Sequence, residues 1–347
     1  MTTGIRAAAS PGEVRVAVLR DGVLWDYALW RPGRPDGVGD VHRGRVVARA
    51  AALAGSFVEI EGATGFLPES EGKAPEGTVL GVRIVRAAHG GKGPRLAAAE
   101  VPSGPVGLVA RGPSPLDELR ARYPGAAFLA DERTLGGTWV ARAFDDALEA
   151  EVAALAEPEV ALPGGGRAHV SLTPALTAID VDLGGFSAGG KAASHRALNL
   201  AAIPVLVRAL RLRNLGGAIL VDFAGLPGRR QKVLGEALAA ALAEDPLGAR
   251  LLGFSHLGLA EIRRPRIRPP LAELLAGAHA EGLAALRVAA REAAAMPAIV
   301  LVLRAAPAIL AALETDPVAL PQYRERTGRD LVLRADPTLA GWRLEHG

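Results

Sequence analysis

Apolar and polar residues alternate along the start of the chain, as a half-buried β-strand requires. The alternation covers 13–19 and resumes over 23–29. The intervening Arg20-Asp21-Gly22 contains an Asp-Gly pair, which favours a tight turn with positive φ. The pattern predicts a β-hairpin, which ends at the Pro- and Gly-rich stretch 31–39.

Short strand-like runs then continue to about residue 98. They include 45–47, 56–60 and 79–85, and Gly or Pro separates them. Several short strands divided by turn residues are typical of a small β-barrel. A second Pro- and Gly-rich boundary covers 102–115.

The remainder alternates between helical and strand-like patterns, which predicts an α/β (α+β multidomain) fold class. The predicted elements are a helix at 145–155, strands at 169–172 and 176–181, a glycine loop at 184–190, a long helix that ends near Asn214-Leu-Gly-Gly217, a strand at 218–223, a helix at 273–295, a strand at 298–303, a further helix and a strand at 331–333. Pro204 lies inside the long helix, so we expect a kink there or two pieces.

Composition limits the chemistry. Half of the 347 residues are hydrophobic, and 40 Lys and Arg oppose 37 Asp and Glu, so any attraction to a polyanion depends on local clusters of charge. Without cysteine there is no disulfide, thiolate nucleophile or cysteine-bound zinc. The start lacks the apolar core of a signal peptide, and no apolar run reaches the roughly 18 residues of a membrane span. We therefore expect a cytoplasmic protein without a membrane partner.

Aromatic and basic residues in the barrel-like segment are candidates for contact with nucleic acid. Phe57 and Phe66 lie on consecutive predicted strands, and a basic loop with Lys92 and Arg95 follows. Aromatic faces beside cations form the stacking platform of an OB-fold that binds single strands. The alternative is that both rings belong to the barrel core.

A run of four arginines between prolines, at 263–268, is a second candidate. Arg264 and Arg266 belong to it, and the prolines keep it extended. Arginines that cannot neutralise one another suit a phosphate track, although charge runs are also common on solvated surfaces. None of the seven histidines has metal-binding spacing, so none is given a role.

Three aspartates follow apolar strands. Asp180 and Asp182 end one predicted strand, and Asp222 ends the next. Because ligands collect at the carboxyl ends of strands in α/β sheets, these carboxylates could share a magnesium or manganese ion. The alternative is that each aspartate caps the following turn.

The glycine loop also resembles the phosphate-binding loop of nucleotide hydrolases. Residues 185–191 match it, but Ala192 stands where a hydroxyl is needed to hold magnesium. A P-loop-like nucleotide hydrolase is therefore the weaker interpretation.

The motifs taken together resemble the ribonuclease E/G family. The similar segments, in the order of the family, are Gly44-Arg-Val-Val47, 54–60, Gly65-Phe-Leu-Pro68, 91–96, Leu162-Pro-Gly-Gly165, 176–181, 210–217, Val221-Asp-Phe223 and 257–266.

The resemblance implies five parts. They are the first half of an RNase H-like part at 1–35, an OB-fold at 36–98, a sensor remnant with the second RNase H-like half at 99–163, a DNase I-like catalytic part at 164–270 and a small C-terminal α/β domain at 271–347. It further implies that Asp180 and Asp222 bind magnesium, and that Phe57, Phe66 and Lys92 contact RNA.

The chain departs from the family in the 5′-end sensor, in a cysteine pair and at three positions near the aspartates. Arg111 survives from the 5′-end sensor without its threonine partner, and the cysteine pair that holds an intersubunit zinc is missing, so a homodimer would form without zinc. Asp182 replaces an asparagine, Gly185 an arginine and Gly225 an acidic residue.

The leading prediction is a magnesium-dependent endoribonuclease that acts on single-stranded RNA during rRNA or mRNA processing or decay. The expected site comprises the catalytic Asp180 and Asp222, Asp182 as a further metal ligand, and the RNA-binding residues Phe57, Phe66, Lys92, Arg95, Arg111, Arg264 and Arg266. The alternative is a catalytically degenerate RNA-binding protein of the same family.

Overall fold

The structure is a computed structural model that describes residues 2–186, 190–225 and 228–347. Its strands, in chain order, are β1 Thr3–Ser10, β2 Glu13–Arg20, β3 Val23–Trp30, β4 Val41–Ala50, β5 Gly55–Ile60, β6 Ala63–Pro68, β7 Val79–Arg86, β8 Arg95–Ala98, β9 Gly107–Ala110, β10 Ala127–Ala130, β11 Thr138–Trp139, β12 Glu159–Ala161, β13 Arg167–Leu172, β14 Leu176–Asp182, β15 Gly217–Asp222, β16 Arg250–Phe254, β17 Ala260–Arg264, β18 Leu301–Ala305, β19 Val332–Ala335 and β20 Trp342–His346. Its α-helices are α1 Pro115–Arg122, α2 Asp146–Ala153, α3 Lys191–Leu212, α4 Gly228–Leu242, α5 Leu271–Leu275, α6 Ala278–Ala295, α7 Pro307–Glu314 and α8 Ala319–Thr327.

The chain folds into two compact units. Unit 1 comprises Met1–Pro35, Ser114–Ala153 and Ala272–Gly347, and unit 2 comprises Asp36–Pro113 and Ala154–Leu271. Among the helices that the structure describes, none has the length and apolar character needed to cross a bilayer.

Unit 1 contains two sheets. The first has the order β11-β10-β1-β2-β3, in which β2 and β3 form the predicted hairpin. Asp21 and Gly22 have φ values of 47° and 82°, the positive angles that its two-residue turn requires. The second sheet has the order β19-β18-β20 and packs against α6, α7 and α8.

The predicted helix at 273–295 is divided. Helix α5 ends at Leu275, and α6 begins at Ala278 after Gly277, whose φ of 87° is incompatible with a continuous helix. The glycine therefore stops one helix and starts the next, which the apolar periodicity alone did not show.

Unit 2 contains the predicted small barrel. Strands β5, β6, β8, β7 and β4 pair in that order, and β4 also pairs with β5, which closes the sheet into a five-stranded barrel. Buried side chains from all five strands fill it, including Val46, Val58, Leu67, Val82 and Leu96. Strand β9 pairs with β4 as a sixth strand outside the closed five. The outer face of such a barrel is where ligands bind in OB-folds.

The second sheet of unit 2 has the order β12-β13-β14-β15-β17-β16. Helices α3 and α4 supply core residues such as Leu198, Leu206 and Leu238, which pack against its buried positions. Helix α3 is a single helix, contrary to a division at Pro204. Pro204 is exposed, so its ring lies on the solvent side of the helix.

His42 is a buried group in β4 with a consequence for stability. It is 3% exposed, and within the described residues neither ring nitrogen has a hydrogen-bond partner. Burial lowers its pKa from 6.5 and outweighs the nearby Asp40 and Glu61, which raise it, while Arg111 adds to the lowering.

Acid should therefore destabilise the protein through His42. Below pH 6.5 His42 is protonated in the unfolded chain but stays neutral in the folded barrel. The stability that the neutral His42 contributes is therefore fully present above pH 6.5, and it declines as the pH falls toward the lowered pKa. We expect the free energy of unfolding in urea to decrease between neutral and mildly acidic pH by less in His42→Gln than in the parent. Equal slopes for the two proteins would contradict this assignment.

Candidate functional site

The aspartates predicted from the strand ends lie side by side. Strands β14 and β15 run parallel, and their register pairs Asp180 directly with Asp222. Helix α3 connects the two strands on the covered face of the sheet. Parallel pairing brings both carboxyl ends to the same edge, which is where ligands bind in sheets of this kind.

Alternation along the strands decides which side chains reach solvent. Ile179 and Val181 are buried in β14, whereas Asp180 and Asp182 between and beyond them are exposed. In β15, Val221 is buried and Asp222 is exposed. Since partners in register point to the same face, the three aspartates share the open face of the sheet.

The three carboxylates are not equivalent. Asp182 Oδ1 accepts a hydrogen bond of 2.6 Å from the backbone N–H of Gly184, so it stabilises the turn after β14. Asp180 and Asp222 have no hydrogen-bond or ion-pair partner in the part of the chain that the structure describes. Two carboxylates on a common edge are thus available to a cation, and the third is engaged by the backbone.

A closed cage for a metal ion is not formed by these groups. Within residues 2–186, 190–225 and 228–347, no three carboxylate or imidazole side chains lie close enough to hold an ion together. The pair Asp180 and Asp222 could bind a cation that keeps other ligands. Asp182, which was predicted as a third ligand, does not form a three-residue set with them among the described residues.

His169 is a neighbour that the sequence interpretation left without a role. It lies on β13 directly opposite Asp180, and Glu159 of β12 lies opposite His169. Both are exposed, so Glu159, His169, Asp180 and Asp222 form one row across four strands of the open face. The exposed alternate positions of β13 are the sequence signal that indicates this placement.

The loop after Asp222 is held by α3. Asn199 Nδ2 donates a 2.9 Å hydrogen bond to the carbonyl of Ala224. Gly225 has a φ of 50°, and a Cβ there would lie 2.0 Å from Nδ1 of His195. The glycine that replaces an acidic residue is therefore required by the close approach of the imidazole ring.

The glycine loop that resembles a phosphate-binding loop lies partly outside the described residues. These exclude 187–189 and the side chains of Lys191 and Ala192. Helix α3 begins at Lys191.

Phe57 and Phe66 lie outside the barrel core. Phe57 is 37% exposed, Phe66 is half-buried, and neither belongs to the buried cluster that fills the barrel. The strands pair the two residues, and the rings meet edge to face with centroids 5.8 Å apart. Gly55 permits this arrangement, because a Cβ there would lie 2.2 Å from the Phe66 ring.

A row of cations continues the aromatic pair across the barrel. Phe66 pairs with Arg95 of β8, and Arg95 pairs with Arg86 of β7. Burial and then the positive charges of Arg95 and Arg266 lower the pKa of Arg86, so both arginines act on Arg86 through their charge. Arg86 was missed from the sequence because its neighbours come from other strands.

Lys92 occupies the tip of a hairpin beside this surface. His89 and Lys92 form an isolated antiparallel bridge, and Gly90 and Gly91 between them have φ values of 56° and 74°. This is a two-residue turn of the type that needs two positive φ angles. The turn leaves the Lys92 side chain exposed to solvent.

The arginine run does not form one continuous track. Arg263 is exposed, whereas Arg264 is 2% exposed and its Nε lies 3.1 Å from Oδ1 of Asp245. Arg266 Nη2 donates a 2.9 Å bond to the carbonyl of Gly216, and Arg268 pairs with Asp36.

Arg264 therefore does not fit the predicted contact with RNA, because its guanidinium is enclosed and already bound. It also donates a 2.9 Å hydrogen bond to the carbonyl of Leu215. Arg266 is half-buried, and its positive charge lowers the pKa of Arg86.

Arg111 is partly committed as well. Its Nη1 lies 2.7 Å from Oδ2 of the buried Asp40, whose other oxygen accepts a 2.7 Å bond from the N–H of Gly112. Most of the Arg111 side chain is nevertheless exposed.

The exposed aromatic pair leads to a test. Phe57→Ala and Phe66→Ala should each weaken binding of a fluorescent single-stranded oligoribonucleotide by about 1–3 kcal/mol, the value of one base stack. Because neither ring lies in the core, the unfolding free energy should fall by only about 0.5–1.5 kcal/mol, the value of an aromatic contact.

Trp139→Ala is the matched control, since Trp139 is 48% exposed and lies in unit 1. It should bind RNA like the parent. If the phenylalanine variants bind normally but lose about 3–5 kcal/mol of stability, the rings are core residues.

One segment of the chain is similar in sequence to known proteins. The sequence profile of the Ribonuclease E/G family matches residues 142–267. Ribonuclease E of Escherichia coli (strain K12) is 35% identical over 128 residues, which are 36% of this chain and 12% of that protein. Ribonuclease G of the same strain is 35% identical over 137 residues, or 37% of this chain and 27% of that protein.

A third relative agrees with these two. Ribonuclease G of Haemophilus influenzae is 34% identical over 128 residues, which are 34% of this chain and 25% of that protein. The matched part is about a quarter of each ribonuclease G and 12% of ribonuclease E, so it spans far less than two thirds of these relatives. The profile match includes Asp180, Asp182 and Asp222.

Proposed function

Because residues 142–267 make this chain a member of the ribonuclease E/G family, we propose that it is a metal-dependent endoribonuclease that cleaves single-stranded RNA. The observation that carries the proposal is the register of β14 and β15, which pairs the exposed Asp180 and Asp222 at one sheet edge. The substrates that we propose are ribosomal RNA precursors or messages, cleaved to 5′-phosphate and 3′-hydroxyl ends.

The donor set fits a small hard cation. Two exposed carboxylates that have no partner among the described residues suit Mg²⁺, or Mn²⁺, which binds proteins through one or two carboxylates and keeps several waters. A bound ion of this kind would supply Lewis-acid stabilisation of charge that develops on the phosphate. Asp180 and Asp222 would hold it, and zinc is not part of the proposal.

The other residues bind and position the RNA. Phe57 and Phe66 present aromatic faces on which bases stack, and Arg86, Arg95 and Arg266 attract the phosphates beside them. The barrel and the Asp180–Asp222 edge belong to the same unit. The contact of Asn199 with the Ala224 carbonyl holds the backbone that follows Asp222.

One observation favours a second function, an RNA-binding protein that does not cleave. Asp182 is committed to the Gly184 N–H, and the described residues contain no three-ligand cluster. A metal site with weakened supporting groups commonly loses about 10–100-fold in affinity or activity. In this alternative the barrel surface works unchanged, and the aspartate pair is inert.

Cleavage of a 5′-labelled A/U-rich oligoribonucleotide separates the two functions. The parent is incubated with Mg²⁺, with Mn²⁺ and with EDTA, beside an Asp222→Asn preparation purified identically. Products that need the ion and are absent from the Asp222→Asn reaction support the endoribonuclease. Retention of intact RNA in a gel shift without products supports the binding protein.

A further inference from the structure

Unit 1 contains a cavity that the proposed function does not use. Its volume is about 790 Å³, within the range of roughly 300–1,000 Å³ typical of small-molecule sites. Asp180, Asp222 and the barrel all belong to unit 2. The cavity wall carries five arginines, which are Arg15, Arg142, Arg287, Arg291 and Arg326.

Three of the arginines that line the cavity, Arg15, Arg287 and Arg291, share two carboxylates with Arg31, which lies outside the lining. Glu13 accepts hydrogen bonds from Arg31 at 3.0 Å and from Arg287 at 2.7 Å. Glu149 accepts two bonds from Arg15, at 2.6 and 2.9 Å, and another from Arg291. This network therefore contains two more positive than negative charges.

The network is built into the fold. The Arg15 side chain is 7% exposed, and its guanidinium lies 4.8 Å from the centroid of the Phe144 ring. Burial alone would raise the pKa of Glu149, but the hydrogen bonds and charges of Arg15 and Arg291 lower it to about 2. Glu149 thus stays ionised at neutral pH and cannot change its charge to suit a ligand.

The remaining charged groups leave the wall positive. Arg142 pairs with Asp146 at 2.5 Å and Arg326 with Glu132 at 3.2 Å, so these pairs are neutral. Asp131, which accepts a 2.7 Å hydrogen bond from the Ala9 N–H, adds one negative charge to the cavity wall. One positive charge in excess is left for an anion.

The accessible donors are suited to phosphate. The side chains of Arg291 and Arg142 are 53% and 51% exposed, and those of Arg326 and Arg287 are 34% and 22% exposed. Guanidinium groups match phosphate oxygens with two parallel hydrogen bonds. We propose that this cavity binds a small phosphomonoester of the size of a free nucleotide.

Titration calorimetry at low salt with 5′-AMP as the probe tests the proposal, with adenosine and inorganic phosphate as comparisons. AMP should bind with a stoichiometry of one, and adenosine at least about tenfold more weakly, because it lacks the charge-assisted bonds. Arg291→Ala and Arg142→Ala should each weaken AMP by about tenfold. Both variants should fold, since Glu149 keeps Arg15 and Asp146 is exposed.

Arg324→Ala is the matched control, an exposed arginine of unit 1 that pairs with Asp330 and does not line the cavity. It and Asp180→Asn should bind AMP like the parent, so the result is independent of the nuclease proposal. The dinucleotide pApA tests the size of the ligand: binding of AMP at least as tight as that of pApA supports a free nucleotide, and tighter binding of pApA would overturn that assignment. Absence of AMP and pApA binding, or normal binding by both arginine variants, would overturn the proposal.

Discussion

Asp180→Asn and Asp222→Asn are each expected to reduce RNA cleavage at least about 100-fold while RNA affinity stays within about twofold of the parent. Loss of a supporting group around a metal site already costs about 10–100-fold, and these variants remove a proposed ligand itself. RNA affinity should persist because the aromatic and basic residues lie on the barrel. Single-turnover cleavage and fluorescence anisotropy on the same oligonucleotide measure the two effects.

The thermal stability of the aspartate variants provides a second measurement. The exposed carboxylates are paired in register, so removing one relieves repulsion and should slightly raise the Tm of the metal-free protein. Added Mg²⁺ should raise the Tm of the parent by binding the folded state, and this increase should be lost in both variants.

Asp330→Asn, an exposed carboxylate of unit 1, serves as the control and should match the parent in every assay. Equal cleavage by the parent and both aspartate variants would move the active site elsewhere, once a contaminating nuclease has been excluded.

Arg264→Ala is expected to lower the free energy of unfolding by about 3–5 kcal/mol, the usual cost of removing one partner of a buried ion pair. Both side chains of the Arg264–Asp245 pair are 2% exposed. The variant leaves Asp245 charged and buried, and it removes the donor to the Leu215 carbonyl. Urea denaturation measures the loss.

Two further variants separate this effect from a contact with RNA. Arg263→Ala changes the adjacent exposed arginine and should stay within about 0.5 kcal/mol of the parent. Arg264→Met combined with Asp245→Asn removes both charges but keeps an acceptor for the N–H groups of Leu247 and Ala249, so it should recover part of the stability. If Arg264→Ala is stable and binds RNA weakly, Arg264 is an RNA-binding residue after all.

Local patterns were sufficient for much of the fold. The hairpin of β2 and β3, the small barrel and the strand–helix–strand order of β14, α3 and β15 all follow from side-chain period and from turn residues. Side-chain period and turn residues depend on only a few neighbouring positions, so they can be recognised without knowledge of the rest of the chain. The predicted boundaries of elements were wrong where a single residue determines them. Gly277, which separates α5 from α6, is the example.

Long-range contacts decided the chemistry of individual side chains. Arg263 and Arg264 are neighbours of the same type, yet one is exposed and the other is buried against Asp245, because successive residues of a strand point to opposite faces. Arg86 is affected by the charges of Arg95 and Arg266, which are distant in the sequence. Arg15 and Glu149 are also distant in the sequence, and they form an ion pair.

The sequence by itself determined which residues could carry charge or stack at the ends and faces of strands, including Phe57, Phe66, Asp180 and Asp222. Only the tertiary structure decided that the two rings meet outside the barrel core, that the two aspartates share a register, and that Asp182 is held by its own turn. The physical reason is that alternation specifies the face of a residue within its strand, whereas strand pairing specifies its neighbours, and pairing depends on the whole sheet.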